Sequence, residues 1–226
     1  MLDKLTIIWD ALPYILEGSA VTIATVLGSL ALGFALGVPL AVGQVYGPRF
    51  LRRLIGVYVW FFRGMPILVL LFLFYFGLFQ IINLNLSAFS ASCLVLGLAS
   101  SAYQSQIFRG SIMMLPQGQW KAARALGMSD AQAVRSIVLP QALRLSIPAW
   151  SNEYSILLKD SALAFVLGTP EIMARTHFVA SRTYEHLTLY TTAGIIYLVI
   201  TVVGLKFLRH VERKVRIPGY AAAGSM

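Results

Sequence analysis

The segment "KAARALGMSDAQAVRSIVLP", Lys121–Pro140, is basic, rich in Ala and bounded by helix-ending signals, and it interrupts a chain that is otherwise largely apolar. Gln119 to Leu126 is made mostly of strong helix formers, and Pro116 stands ahead of them where a first helical turn accepts proline. Gly127 falls where a left-handed residue closes such a helix. Ser129 then opens a second helix, with Gln132 three residues on, the spacing of a capping box. Pro140 marks a bend into the next apolar run. The pattern predicts two short helices held rigidly at a surface, with an Ala-rich face small enough for a groove on a partner.

The surroundings say which surface. Of the 226 residues 58% are hydrophobic and only 12% charged, about half the charged fraction of a soluble domain. Several apolar runs reach the roughly 18–20 residues that cross a bilayer. The chain reads as an all-α membrane protein forming one transmembrane domain over residues 1–226, with no soluble domain to separate. A first span is expected over Ser19–Val45, where the Gly33/Gly37 spacing admits a close neighbouring helix, read as packing within the subunit rather than a dimer face. The basic turn "GPRFLRRL" (Gly47–Leu54) follows. Leu54–Gln80 is apolar except for "RGMP" (Arg63, Gly64, Met65, Pro66), which should break the helix because proline lacks an N–H and clashes with the preceding turn. Arg49–Phe62 then reads as partly interfacial and Met65–Phe79 as the inserted part, with "NLNLS" (Asn83–Ser87) as a turn. Further spans are expected over Ala88–Phe108, Ile137–Leu158 and Leu187–Leu208, separated by a polar interlude (Arg109–Arg135) and a mixed segment (Lys159–Glu185). The last residues, "GYAAAGSM", read as a loose tail.

A net charge of +9 raises the question of nucleic acid, but the cations cluster in short segments between apolar runs, the arrangement that orients a membrane protein. Placing the basic turn at Arg49, Arg52 and Arg53 in the cytoplasm puts fourteen of the eighteen Lys and Arg there, leaving Lys4, Lys159, Arg175 and Arg182 outside. Five spans with the N-terminus outside and the C-terminus inside satisfy this count. The opening residues carry acids around short apolar stretches and no small-residue cleavage pattern, so no signal peptide is expected. Cys93, the single cysteine, reads as a buried structural thiol. His177, His186 and His210 lack metal-ligand spacing, and no phosphate-binding glycine loop, GxSxG elbow or HExxH occurs; no metal or catalytic residue is expected.

The interlude resembles the EAA loop of ABC importer permeases. The family's EAA is Lys121-Ala122-Ala123 here, its Gly is Gly127, and its Ile and Leu-Pro are Ile137 and Leu139-Pro140, all at the family spacing. "RGMPILVLLFLFYFGL", "SAYQSQIFRGSI", "PQGQWKAARALGMS" and "LLKDSALAFVLG" resemble the polar amino acid, histidine/glutamine-type branch, and the likeness covers roughly residues 12–216. It implies a type I ABC importer fold in which residues 116–140 form a cytoplasmic coupling loop. Lys121, Ala122, Ala123, Arg124, Gly127, Met128 and Ser129 would dock on a separate ATP-binding subunit, present in two copies and carrying the ATP and Mg. It also implies an extracytoplasmic amino acid-binding protein, a second permease copy or paralogue, the bilayer of a prokaryotic inner membrane, no nucleic acid, and no cofactor in this chain. Two departures stand out: Lys121 replaces the usual Glu, and Gln106 stands where the family often has an acid.

An ionisable residue inside a span marks a pathway or a buried partner. Glu153, in "WSNEYSILLKD", is the one acid inside an expected span, with Trp150 on its face three residues before. Ser100, Tyr103 and Gln104 form a polar patch on the third span. Together these five are expected to line a cavity, with Glu153 meeting a substrate ammonium or guanidinium; the alternative pairs Glu153 with Lys159 or Arg63 as structural glue. Lys159 and Asp160 read as a snorkelling pair at the outer interface. Arg63, Gly64, Met65 and Pro66 are expected to act as gate or hinge. The function expected is a permease for a polar amino acid. An importer permease for an osmolyte is the alternative, and a self-sufficient secondary carrier or a membrane enzyme would have no use for the docking loop.

Overall fold

The computed structural model describes residues 2–215, with the side chains of residues 2–4 and 117 outside that description; the expected tail, Gly219–Met226, also lies outside it. Every regular element among the described residues is helical. In chain order they are α1 (Leu2–Tyr46), α2 (Arg49–Gly64), α3 (Ile67–Phe72), α4 (Phe79–Ile81), α5 (Ala88–Met114), α6 (Gln117–Ala125), α7 (Asp130–Ala133), α8 (Leu139–Asp160), α9 (Ile172–Thr183) and α10 (His186–Val215). Turns of π geometry join α3 to α4 (Leu73–Leu78) and α7 to α8 (Val134–Val138), and a 3-10 turn (Ser161–Leu167) follows α8.

Several boundaries differ from the sequence expectation. The first helix starts near the N-terminus rather than at Ser19 and carries Pro13 and Pro39 in its interior. α5 runs past Phe108 through Arg109 to Met114, so the polar interlude begins as the end of a helix. The second interlude helix is not a separate short one, because α7, the π turn and α8 follow one another without a break. Pro140 sits in the first turn of α8. There the wider π turn lets the chain remain helical around a residue that cannot donate. α10 takes in most of the C-terminal basic segment, up to Val215.

By length and composition, two helices among the described residues qualify to cross a membrane, over Leu5–Tyr46 and His186–Val215. A third qualifies if Arg49–Gly64 and Ile67–Ile81, bent by 108° at their break, count as one span. α5 and α8 are long enough but more polar, and their polar side chains are turned inward: Ser92, Ser100, Ser101, Gln104 and Ser105 on α5, and Ser146, Ser151 and Glu153 on α8, are all buried. A polar helix shielded by apolar neighbours keeps its hydroxyls and amides paired inside the bundle.

α1 and α5 pack along much of their length. A Cβ on Gly33 would lie 2.3 Å from Gln104 Nε2 and 3.1 Å from Ser100 Oγ, and one on Gly37 would lie 3.1 Å from Gln104 Cβ. The small-residue face therefore serves packing within the subunit, as its spacing suggested. Cys93 lies on the same seam, half-buried, with its Sγ 3.5 Å from the position of a Cβ on Gly28.

Candidate functional site

α5 and α8 cross so that four polar side chains meet in the interior. Trp150 Nε1 donates to Gln104 Oε1 at 2.8 Å, and Gln104 Nε2 donates to Ser100 Oγ at 3.0 Å and to the Leu30 carbonyl at 3.2 Å. Ser100 Oγ in turn donates to Glu153 Oε1 at 2.7 Å. Helical spacing explains the set: Ser100 and Gln104 stand four residues apart on α5, Trp150 and Glu153 three apart on α8, so each pair shares a face. Glu153 is only 4% exposed. Among the described residues no cation lies within ion-pair distance of it, neither Lys159 nor Arg63, so the expected alternative of structural glue is not formed. Lys159 and Asp160 likewise make no ion pair within 4 Å.

The expected cavity differs from the sequence reading in which side chains it reaches. A cavity of about 500 Å³ lies against Leu27, Phe34, Phe108, Leu143, Ser146 and Trp150. Trp150 forms part of its wall, whereas Ser100, Gln104 and Glu153 stand behind it, connected through the indole hydrogen bond. Tyr103 is separate from this network. It faces α2, where the Arg63 guanidinium lies over its ring, 5.1 Å from the centroid. That cation–π contact ties the break between α2 and α3 to α5.

The break itself follows the sequence expectation. Met65 (φ −104°, ψ 141°) and Pro66 (φ −59°, ψ 138°) are extended between the two helices. Proline excludes α geometry from the residue before it, so the two residues hold the corner together. Replacing Pro66 by Leu is expected to relax the corner and to lower transport turnover more than assembly. Uptake per assembled complex, measured beside the yield of complex, checks this; normal turnover with the corner intact would place its cause elsewhere.

The opposite end of α5 leads to the expected docking segment. α6 closes as a Schellman motif: Met128 N–H bonds the Ala123 carbonyl at 3.1 Å and Gly127 N–H bonds the Arg124 carbonyl at 3.0 Å, with Gly127 at φ +82°. Pro116 is the N-cap of α6, one place earlier than expected. The capping box forms in both directions, Ser129 N–H to Gln132 Oε1 at 2.8 Å and Gln132 N–H to Ser129 Oγ at 3.3 Å. Arg124 Nη1 reaches Asp130 Oδ1 at 2.9 Å across the turn, an exposed pair of small energetic value. Lys121, Ala122, Arg124, Gly127 and Ser129 are exposed and Met128 half so, whereas Ala123 is buried and holds α6 to the bundle. Gln106, in the place of a family acid, donates to Gln44 Oε1 at 3.0 Å.

Two residues were not singled out by the sequence. Leu126 is 83% exposed at the C-cap of α6, an apolar side chain on the same turn as Gly127 and Met128. Its only signal was its place before Gly127. Glu171 is fully buried and caps α9, accepting from Met173 N–H at 2.8 Å and Ala174 N–H at 2.7 Å and from the Tyr197 hydroxyl, while Thr22 Oγ1 accepts the next N–H, that of Ile172, at 3.3 Å. This cluster ties α1, α9 and α10 together. Glu is an uncommon N-cap, so no local signal marked this role. His177 Nδ1 bonds the Tyr190 hydroxyl at 2.8 Å, and His186 stacks on the same ring. No metal-holding group of His, Cys, Asp or Glu occurs among the described residues.

An all-helical bundle with apolar outer faces, a buried polar seam and a rigid capped helix projecting from one end defines a membrane-embedded transport subunit. Residues 33–217 match the family described as the inner membrane component of binding-protein-dependent transport systems, and the chain belongs to that family. It is 37% identical over 210 residues to the histidine/lysine/arginine/ornithine transport system permease protein HisM of Salmonella typhimurium, covering 89% of each chain. It is 35% identical over 205 residues to the arginine transport system permease protein ArtQ of Bacillus subtilis, covering 91% of this chain and 94% of that one. Among solved structures it superposes with TM-score 0.82 and 32% identity on a chain of an amino acid ABC transporter crystallised with histidines, over 92% of this chain and 96% of that one. A methionine transporter, MetNI, shares the fold at TM-score 0.72 and 20% identity. The chain is therefore the permease subunit of an ABC importer, and ATP hydrolysis belongs to a separate subunit of such systems.

Proposed function

We propose that this permease carries a polar amino acid, the cationic ones foremost, inward across a prokaryotic inner membrane. The observation that carries the reading is Glu153: a buried carboxylate with no cation among the described residues within ion-pair distance, joined by hydrogen bonds through Ser100 and Gln104 to Trp150 in a cavity wall. Burying such a charge is costly unless a cation meets it, and an α-ammonium, imidazolium or guanidinium supplies one. The names borne by the relatives, histidine, lysine, arginine and ornithine in one case and arginine in the other, agree with that chemistry. In this reading Ser100, Gln104 and Trp150 orient the Glu153 carboxylate, Tyr103 lines the route beside Arg63, and the Arg63–Pro66 corner is the moving gate.

The chain crosses the bilayer five times, through α1, the bent α2–α4 unit, α5, α8 and α10, with its N-terminus outside. The positive-inside count supports this, and the inward-facing polarity of α5 and α8 explains why their composition alone falls short of a span. Two such permeases, identical or paralogous, form the pathway. Two ATP-binding subunits dock on Lys121–Ser129, Leu126 included, and a binding protein delivers substrate from outside. Uptake of labelled arginine, lysine, histidine and glutamine into cells with and without the ATPase gene tests the whole. ATPase-dependent uptake of a cationic amino acid is expected. Uptake that persists without the ATPase would overturn the reading in favour of a self-sufficient carrier, and uptake of a zwitterionic osmolyte alone would move the chain to the osmolyte importers.

A further inference from the structure

Where α1 ends and α2 begins, a cavity of about 590 Å³ is walled by Gln44, Tyr46, Arg52, Arg109, Trp120 and Lys121, among others. No Asp or Glu contributes to its wall, and among the described residues none lies within ion-pair distance of Arg52, Arg109 or Lys121. Among the described residues Arg109 hydrogen-bonds a neutral partner alone, Gln106 Oε1, at 3.3 Å. Three cations from three separate helices thus converge on one space without a counter-charge. A second observation points to a ligand. The Trp120 indole N–H is buried and has no acceptor among the described residues, although Trp120 belongs to the cavity wall. Buried N–H groups are nearly always paired, and an anionic oxygen in the cavity would pair this one.

The rim says which anion. Tyr46 and Met113 line the cavity and are 42% and 64% exposed, Met114 beside them is exposed too, and Phe50 and Leu54 flank Arg52 along α2. A free phosphate has no use for an apolar rim, whereas a lipid lays its glycerol and acyl chains against one. Basic pockets between helices at a membrane surface select anionic headgroups through the same combination of charge and apolar margin. We propose that this cavity holds the phosphate-bearing headgroup of an anionic phospholipid, with Arg52, Arg109 and Lys121 around the phosphate, the Trp120 N–H on one of its oxygens, and the acyl chains leaving past Tyr46 and Met113. The bound lipid braces α6, and with it the docking segment, against the ends of α1 and α5. The site stands apart from the substrate reading and survives its failure.

The test uses the full-length transporter complex, stripped of lipid in neutral detergent and titrated with phosphatidylglycerol or phosphatidylcholine under native mass spectrometry. Saturable retention of phosphatidylglycerol, one per permease copy, is expected, with phosphatidylcholine failing to compete. The Arg52→Gln/Arg109→Gln variant should bind it at least about tenfold more weakly, the scale of removing two charges facing a lipid phosphate. Arg53→Gln, which removes an exposed charge outside the cavity wall, should bind normally. Arg52→Gln alone, at an exposed position, carries the test if the double variant does not accumulate. Equal binding by the parent and the double variant, or an equal loss in Arg53→Gln, would overturn the proposal. Displacement of phosphatidylglycerol by millimolar inorganic phosphate would overturn the lipid in favour of a free anion. Loss of the ATPase subunit from the double variant with lipid binding unchanged would assign these cations to protein docking instead.

Discussion

Gly127→Asp is expected to abolish substrate-stimulated ATPase activity while the permease still inserts and accumulates. Gly127 closes α6 at φ +82°, where an L-residue carries strain of about 1–2 kcal/mol. A Cβ there meets nothing within 4 Å of its own chain, so the fold has room for the side chain and the bundle should not collapse. The damage falls on the α6–α7 corner and on whatever docks there. Asp adds a second insult, a carboxylate on the surface that Lys121, Arg124 and Leu126 share. Asn visits the left-handed region about as readily as Asp but brings no charge, so Gly127→Asn should retain a measurable part of the stimulation. If Gly127→Asp stimulates like the parent, the α6–α7 corner has no part in coupling. If Asn and Asp fail equally, the backbone alone is responsible and charge is irrelevant.

Glu153→Gln should lose most substrate uptake without losing stability. The amide oxygen of Gln can still accept from Ser100, so the chain of hydrogen bonds from Trp150 through Gln104 and Ser100 is kept. Only the charge goes. Hydrogen bonds to charged groups contribute about 1.5–3 kcal/mol, so the apparent affinity for a cationic substrate should fall by roughly 10- to 100-fold. Because no cation among the described residues is within ion-pair distance of Glu153, removing the charge breaks no ion pair, and the melting temperature should hold or rise. The two readings separate on one preparation by recording melting temperature beside uptake. A large loss of stability would show that the carboxylate is structural after all. Normal uptake with normal stability would remove Glu153 from the pathway.

The local devices of this protein are legible in its sequence. Gly127 as a left-handed cap, Ser129 and Gln132 as a capping box and the break at Met65–Pro66 are each decided by the chemistry of a few adjacent residues, and the structure repeats them at the expected positions. The Gly33/Gly37 face also served the purpose its spacing suggested, because only a helix approaching very closely needs two Cβ atoms missing on one face. Trp150 and Glu153, like Ser100 and Gln104, were placed on shared faces by helical periodicity alone.

Tertiary structure decided what depends on contacts between distant segments. Whether Pro13, Pro39 and Pro140 end a helix or ride inside one turns on packing and on a π turn that supplies the slack, and no rule about a single proline settles it. Tyr103 looked like a member of the Ser100–Gln104 patch, yet it faces Arg63, because the position of α2 beside α5 is a property of the bundle. Glu171 drew no notice in a mixed segment, and only the convergence of α1, α9 and α10 made it a buried cap. The sequence by itself determined the class of molecule, the short helix at Gln119–Leu126 and its caps, since these follow from composition and from neighbours within one or two turns. The structure decided which polar side chains meet and which cations stand without a counter-charge. Those are sums over partners far apart in the chain, and periodicity along one helix carries no information about the face its neighbour presents.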